Sequence, residues 1–174
     1  MGYSSPATQS SGQIPPVSWA NSVKTALDYL ANPPACRANR TTTQSLVPAT
    51  ATSILFDAEV FDTDTMHDTV SNTSRLTVKT AGLYIVTAGL GFAANATGVR
   101  VAWVNVNGSD ATRIIQGGMT AVSASDVTDI PLATIYKFAV NDYMELRGYQ
   151  TSGGNLNTAT LQLPHLEATW IGLG

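Results

Sequence analysis

Two apolar runs, residues 83–92 (L-Y-I-V-T-A-G-L-G-F) and residues 99–106 (V-R-V-A-W-V-N-V), constrain the fold more than any other feature of the chain. Both are rich in β-branched and aromatic residues, and the stretch between them, A-A-N-A-T-G, is small, amide-bearing or glycine. That pattern predicts two antiparallel strands joined by a chain reversal. In the second run Val99, Val101, Trp103 and Asn105 face one way, and Arg100, Ala102, Val104 and Val106 the other. Both sets are mostly apolar, so this strand is expected to be covered on both faces. Asn107-Gly108 then supplies a short hairpin turn.

The same signals recur along the chain. Strand-like segments fall at residues 41–47, 53–56, 58–61, 75–78, 111–116, 119–123, 130–138, 143–150, 157–163 and 166–173. Gly117-Gly118 is expected to bend or bulge one of them. Ala139-Val140-Asn141-Asp142 and residues 151–155 read as turns. About ten short strands at this spacing indicate an all-β sandwich, a jelly roll. No fixed-period repeat is present, which argues against a propeller or solenoid.

Only one segment has helical periodicity. In residues 18–30, Trp19, Val23, Ala26, Leu27 and Leu30 share a face, Ser18 is a candidate N-cap, and Asn32-Pro33-Pro34 ends the run. Before it, residues 1–13 are polar and rich in Ser, Gly and Pro, and are expected to order only against a partner. The division expected is residues 1–40 as N-terminal arm, helix and Pro-rich docking loop, and residues 41–174 as the jelly-roll domain. The helix face has two uses: it covers one end of its own sandwich, or it binds a partner or its own copies. The second is favoured for an apolar helix lying outside a complete sandwich. The candidate partner-binding residues are Ile14, Pro15, Pro16, Val17, Trp19, Val23, Leu27 and Leu30, together with the cationic Arg37 and Arg40.

Composition narrows the function. Charged residues are 12% of the chain, about half the usual share. A net charge of -3 opposes nucleic-acid binding. No apolar run approaches bilayer length, and residues 1–13 lack the pattern of a secretory leader. The single Cys36 precludes an internal disulfide framework, and a reducing cytoplasm is the expected place of synthesis. Asp57, Glu59, Asp62, Asp64, His67 and Asp68 form the richest polar cluster. Asp62, Asp64 and Asp68 could offer oxygen ligands to calcium, but EF-hand spacing is missing, and a hydrated loop with Asx-turns is the preferred reading. His67 and His165 are the only histidines, with no G-x-S-x-G elbow, so no enzyme, cofactor or metal centre is expected. Cys36 is expected to be a buried or interface thiol.

Several segments resemble the trimeric jelly roll shared by tumour necrosis factor and the complement globular head. Ala81-Gly82-Leu83-Tyr84-Ile85-Val86 resembles its "G-x-Y" strand, and Val104-Asn105-Val106-Asn107-Gly108 its strand ending in Asn-Gly. Phe138-Ala139-Val140-Asn141-Asp142-Tyr143-Met144-Glu145-Leu146 resembles its "L-x-x-G-D-x-V-x-L" turn and strand, with Asn141 in place of Gly. Leu166 to Gly172 resembles the closing strand, with Trp170 in place of Phe. The front third, G-Q-I-P-P-V-S-W-A-N-S-V through F-D-A-E-V-F-D-T-D-T-M-H-D, is similar to small virion proteins of tailed phages. The resemblance implies a homotrimeric virion structural protein, a capsid decoration (cement) protein. Such a protein is assembled in the host cytoplasm and held on the virion surface by its N-terminal segment. Its partners would be its own copies and a major capsid or tail protein. The alternative is a tail-tip or fibre module that recognises a host surface ligand.

Overall fold

The computed structural model describes residues 5–174, so residues 1–4 of the expected arm lie outside the description. One helix, α1 (Val17–Ala31), precedes twelve strands. These are β1 (Ala35–Asn39), β2 (Ser45–Leu46), β3 (Thr52–Ser53), β4 (Ala58–Asp62), β5 (Arg75–Thr77), β6 (Gly82–Phe92), β7 (Val99–Val106), β8 (Ser109–Thr120), β9 (Thr128–Phe138), β10 (Tyr143–Gln150), β11 (Leu156–Asn157) and β12 (His165–Gly172). One sheet runs β4-β1-β12-β6-β9. The facing sheet runs β3-β10-β7-β8, with β5 also paired to β10, and β2 pairs with β11 apart from both.

The two strands that open the sequence argument exist and are long, but they do not pair. β6 pairs with β12 and β9, whereas β7 pairs with β10 and β8. The reversal at residues 93–98 therefore crosses from one sheet to the other. Tyr84, Val86, Ala88, Leu90 and Phe92 of β6 meet Ala102, Val104 and Val106 of β7 across the core, joined by Met144, Leu146, Leu166, Ala168 and Trp170. Each fully buried large aliphatic or aromatic side chain in such a core stabilises it by roughly 1.5–3 kcal/mol.

The double covering expected of β7 holds for its second half, where the chain itself supplies it, whereas Val99 is exposed and Val101 half-buried. On the outer side, Trp103 and Asn105 are buried beneath the start of β8. The Arg113 guanidinium lies 4.2 Å over the Trp103 ring, and Asp110 accepts the Trp103 indole N–H at 3.1 Å. β8 is one continuous strand instead of two. Its register shifts fall opposite Val104 to Val106, not at Gly117-Gly118. Gly117 serves packing instead: a Cβ there would stand 2.9 Å from Ile130 Cγ2.

The expected turns hold. Asn107 and Gly108 both take positive φ, 55° and 71°, as a primed hairpin turn requires. Asn141 sits at φ 72°, a conformation Asn tolerates better than most residues, so the motif's usual Gly is dispensable here. Three other expectations are corrected. Residues 41–47 contain only the short β2, and residues 157–163 only the end of β11; the rest is loop. The N-cap of α1 is Pro16, whose extended backbone (φ -67°, ψ 157°) presents its carbonyl to Trp19 and Ala20, and no side chain caps the helix, so Ser18 does not act as expected.

The third correction matters most for function. Residues 33–40 are not a docking loop, because Ala35–Asn39 is β1, an interior strand between β4 and β12. Cys36 and Ala38 point into the core and Arg37 and Asn39 outward. The alternation was hidden because its inward residues are small and not β-branched. Residues from 35 onward thus belong to the sandwich, not to the appendage.

Candidate interaction surfaces

The proposed docking residues divide into two groups. Ile14 is 94% exposed and Leu30 71% exposed; Pro15, Pro16, Val17 and Leu27 are also exposed. Trp19 and Val23 are half-buried, and the Trp19 indole N–H donates to the Ala7 carbonyl at 2.6 Å, which folds the arm back onto the helix. Arg37 and Arg40 do not join this surface. Arg37 donates to Glu167 at 3.1 Å on the outer face of the sheet. Arg40 donates to the Leu55 and Thr42 carbonyls and lies 3.8 Å from Asp57. Both cations are paired with groups of the jelly roll itself, Arg37 on the outer face of its sheet.

α1 does pack on its own domain, through a neighbouring face. Ala26 is buried, and the Tyr29 ring stands 6.1 Å from the Trp170 ring. Tyr29, Thr25, Asp28 and Asn32 border a cleft of about 250 Å³ against Pro34, Thr63 and Asp64. The helix thus touches the sandwich beside Trp170 through Tyr29, and the flank bearing Leu27 and Leu30 stays bare.

A second apolar surface was not singled out from the sequence. On the outer side of β6 and β9, Ile85 and Ile135 are directly paired, and are 42% and 59% exposed. Phe61, Val60 and Ile171 are exposed on the same sheet. The distal half of that face is closed, since Gly89 lies against the His165 ring and Gly91 against Gln162 and Ala159. The sequence signal was the run L-Y-I-V, apolar at successive positions and hence on both faces of one strand.

The acidic segment at residues 62–73 is a set of Asx-turns. Asp62 accepts from the backbone N–H of Asp64 at 3.1 Å and of His67 at 2.8 Å. Asp68 accepts from Val70 and Ser71, and those two N–H donors hold its carboxyl below the usual carboxylate range. Among the described residues no group of three or more metal-ligating side chains converges. His67 is occupied by Glu59 at 2.9 Å and the Thr73 carbonyl at 3.2 Å, and His165 faces the Leu163 carbonyl. Neither histidine meets a nucleophile.

Cys36 is fully buried. Burial, and then the carboxylates of Asp62 and Glu59, push its thiol far above the ordinary range. A thiolate-directed reagent at pH 8 is expected to leave the native protein unmodified and to react with one thiol per chain in denaturant. Rapid native labelling would contradict the burial.

No family model and no curated protein matches the chain. Solved structures do. The globular domain of a zebrafish complement 1qA protein superposes with a TM-score of 0.59 at 13% identity, covering 81% of this chain and 99% of that one. The fold is the tumour-necrosis-factor-type jelly roll. Murine APRIL at pH 5.0 gives a TM-score of 0.59 at 9% identity, covering 78% and 98%. Eiger TNF from S. frugiperda gives 0.54 at 10%, covering 80% and 94%. The motifs resembling that fold fall on β6, the β7–β8 turn, the β9–β10 turn and β12. Identities this low carry the fold and nothing finer.

Proposed function

We propose that the protein is a homotrimeric structural component of a tailed-phage virion, a capsid decoration protein whose jelly roll is displayed and whose N-terminal segment seats it. The observation that carries the reading is the bare flank of α1. Leu27 and Leu30, three residues apart on α1, form an apolar flank that the protein's own sandwich leaves uncovered, and Ile14 and Val17 are exposed where the chain enters the helix. An exposed i, i+3 apolar pair such as Leu27 and Leu30 is the kind of anchor by which a helix lies in a partner's groove. The N-terminal motifs resemble those of small virion proteins on the same residues. The exposed Ile85–Ile135 patch supports self-association, since isolated domains rarely leave such faces wet. Three copies joined there would present three helices at once, and such multivalency raises the strength of seating without requiring any single contact to be strong.

The test is direct. Gold-labelled antibody against the jelly roll should decorate phage particles in electron micrographs of a lysate. Added to particles stripped of it, the full chain should rebind, and a chain lacking residues 1–31 should fold but lose at least nine-tenths of occupancy. Particles that carry no label, or full occupancy by the shortened chain, would sink the proposal.

A further inference from the structure

The sheet opposite the Ile85–Ile135 patch carries a groove of about 420 Å³, within the size range of small-molecule sites. Its floor is Val101, with the buried Trp103 beside it under Arg113. Tyr149, Ala49 and Ala51 form one wall, and Arg113 and Gln116 the other. Gly118, paired opposite Val101, has no side chain to fill it.

The groove is built in advance. Arg147 donates to the Ala51 carbonyl at 3.1 Å, and the Ala49 N–H to the Gln150 carbonyl at 2.8 Å, which fixes the first wall. Arg147 also donates to Asp110 at 2.8 Å, and that same carboxylate oxygen takes the Trp103 indole N–H. Arg113 stands 4.0 Å from the other Asp110 oxygen and donates to the side-chain amide oxygen of Gln116. Arg147 is therefore neutralised, whereas exposed Arg113 keeps donors for a further anion. Gln116, having accepted from Arg113, keeps its amide N–H groups for a ligand oxygen.

The groove also lies away from the seating helix. α1 packs where β6 begins and β12 ends. Val78 exchanges backbone hydrogen bonds with Asn141 and Asp142, which places the start of β10 at that same end. Tyr149 is near the other end of β10, paired with Val101.

We infer that this groove binds an oligosaccharide bearing a carboxylate sugar. A sugar ring lies against Tyr149 and Val101, its carboxylate takes the Arg113 fork, and a hydroxyl takes Gln116. An open trough with an aromatic wall suits a flat ring with one apolar face, and a planar guanidinium matches a carboxylate two bonds at a time. The inference stands on one chain and holds whether or not that chain trimerises or sits on a virion.

Saturation-transfer NMR and titration calorimetry on the full chain decide it, with sialyllactose and tetragalacturonate as acidic probes and lactose as the neutral control. Transfer from at least one acidic probe is expected, at least tenfold weaker for lactose. Tyr149→Ala and Arg113→Gln, both at the groove's rim, should each weaken binding tenfold or more with an unchanged circular dichroism spectrum. No transfer from either acidic probe, equal binding of lactose, or acidic binding that survives both substitutions would overturn the inference.

Discussion

An Ile135→Glu chain is expected to elute as a folded monomer at a concentration where the parent elutes as a trimer. Ile135 is the more exposed of the paired isoleucines at the centre of the apolar patch, at 59%. In an isolated subunit the substitution touches water, and surface changes of this kind shift stability by about 0.5 kcal/mol or less. In a trimer joined through this patch the same carboxylate would be buried beside Ile85, among apolar side chains. The nearest positive charge along β9 is Lys137, which is exposed and donates to the Gly174 carbonyl at 2.8 Å. An unpaired buried charge costs several kcal/mol, enough to shift association by orders of magnitude. Light scattering across a concentration series reads the outcome, and circular dichroism checks the fold. A parent that is monomeric at all concentrations removes the trimer. A trimeric Ile135→Glu chain moves the interface off this face.

The fold was legible in the sequence because its decisive residues act locally. Asn107-Gly108 and Asn141-Asp142 set turns through backbone conformation alone, and the apolar, β-branched runs of β6, β7, β9 and β10 are visible as strands. What escaped detection has a common physical cause. β1 builds an interior strand from Ala35, Cys36 and Ala38, whose small side chains fit a tight core and carry little hydrophobic signal. The β6–β7 reversal reads as a hairpin because turn chemistry does not say whether the next strand joins the same sheet or the facing one. Arg37 and Arg40 read as free cations because Glu167 and Asp57, their partners, are distant in sequence. The helix stripe could be read directly, since helical period is local, but that Tyr29, outside the stripe, would meet Trp170 could not. The groove at Trp103 was invisible for the same reason as the ion pairs: its walls come from residues 49–51, 101–103, 113–116 and 149.

The largest loss of stability is expected at Arg100, the largest side chain that is completely buried. It lies on the inner side of β7 near the distal end, with its guanidinium 6.0 Å over the Phe92 ring. It donates to the carbonyls of Thr97 (2.9 Å), Val99 (3.1 Å) and Asn95 (3.1 Å), and to the Asn95 side-chain oxygen at 3.2 Å. No carboxylate pairs with it among the described residues. Burial accordingly pulls its pKa down from the ordinary arginine value. The cation is held by carbonyl dipoles alone, and those carbonyls belong to the segment that carries the chain from one sheet to the other. Arg100→Met preserves most of the volume but strands these acceptors, each at a cost of about 1–3 kcal/mol where water cannot replace the donor. Water reaches part of the exposed residues 96–98, so the net loss should be about 3 kcal/mol. For a domain of this size that corresponds to a fall in Tm of roughly 6–12 °C. Arg100→Lys should recover less than half, because one ammonium on a flexible stem cannot span four acceptors as the planar fork does. Urea unfolding at a fixed chain concentration measures both, which keeps subunit association from entering the comparison. A Met variant within 0.5 kcal/mol of the parent would mean that solvent already satisfies this crossover, and that the guanidinium is a passenger in the core and not its clamp.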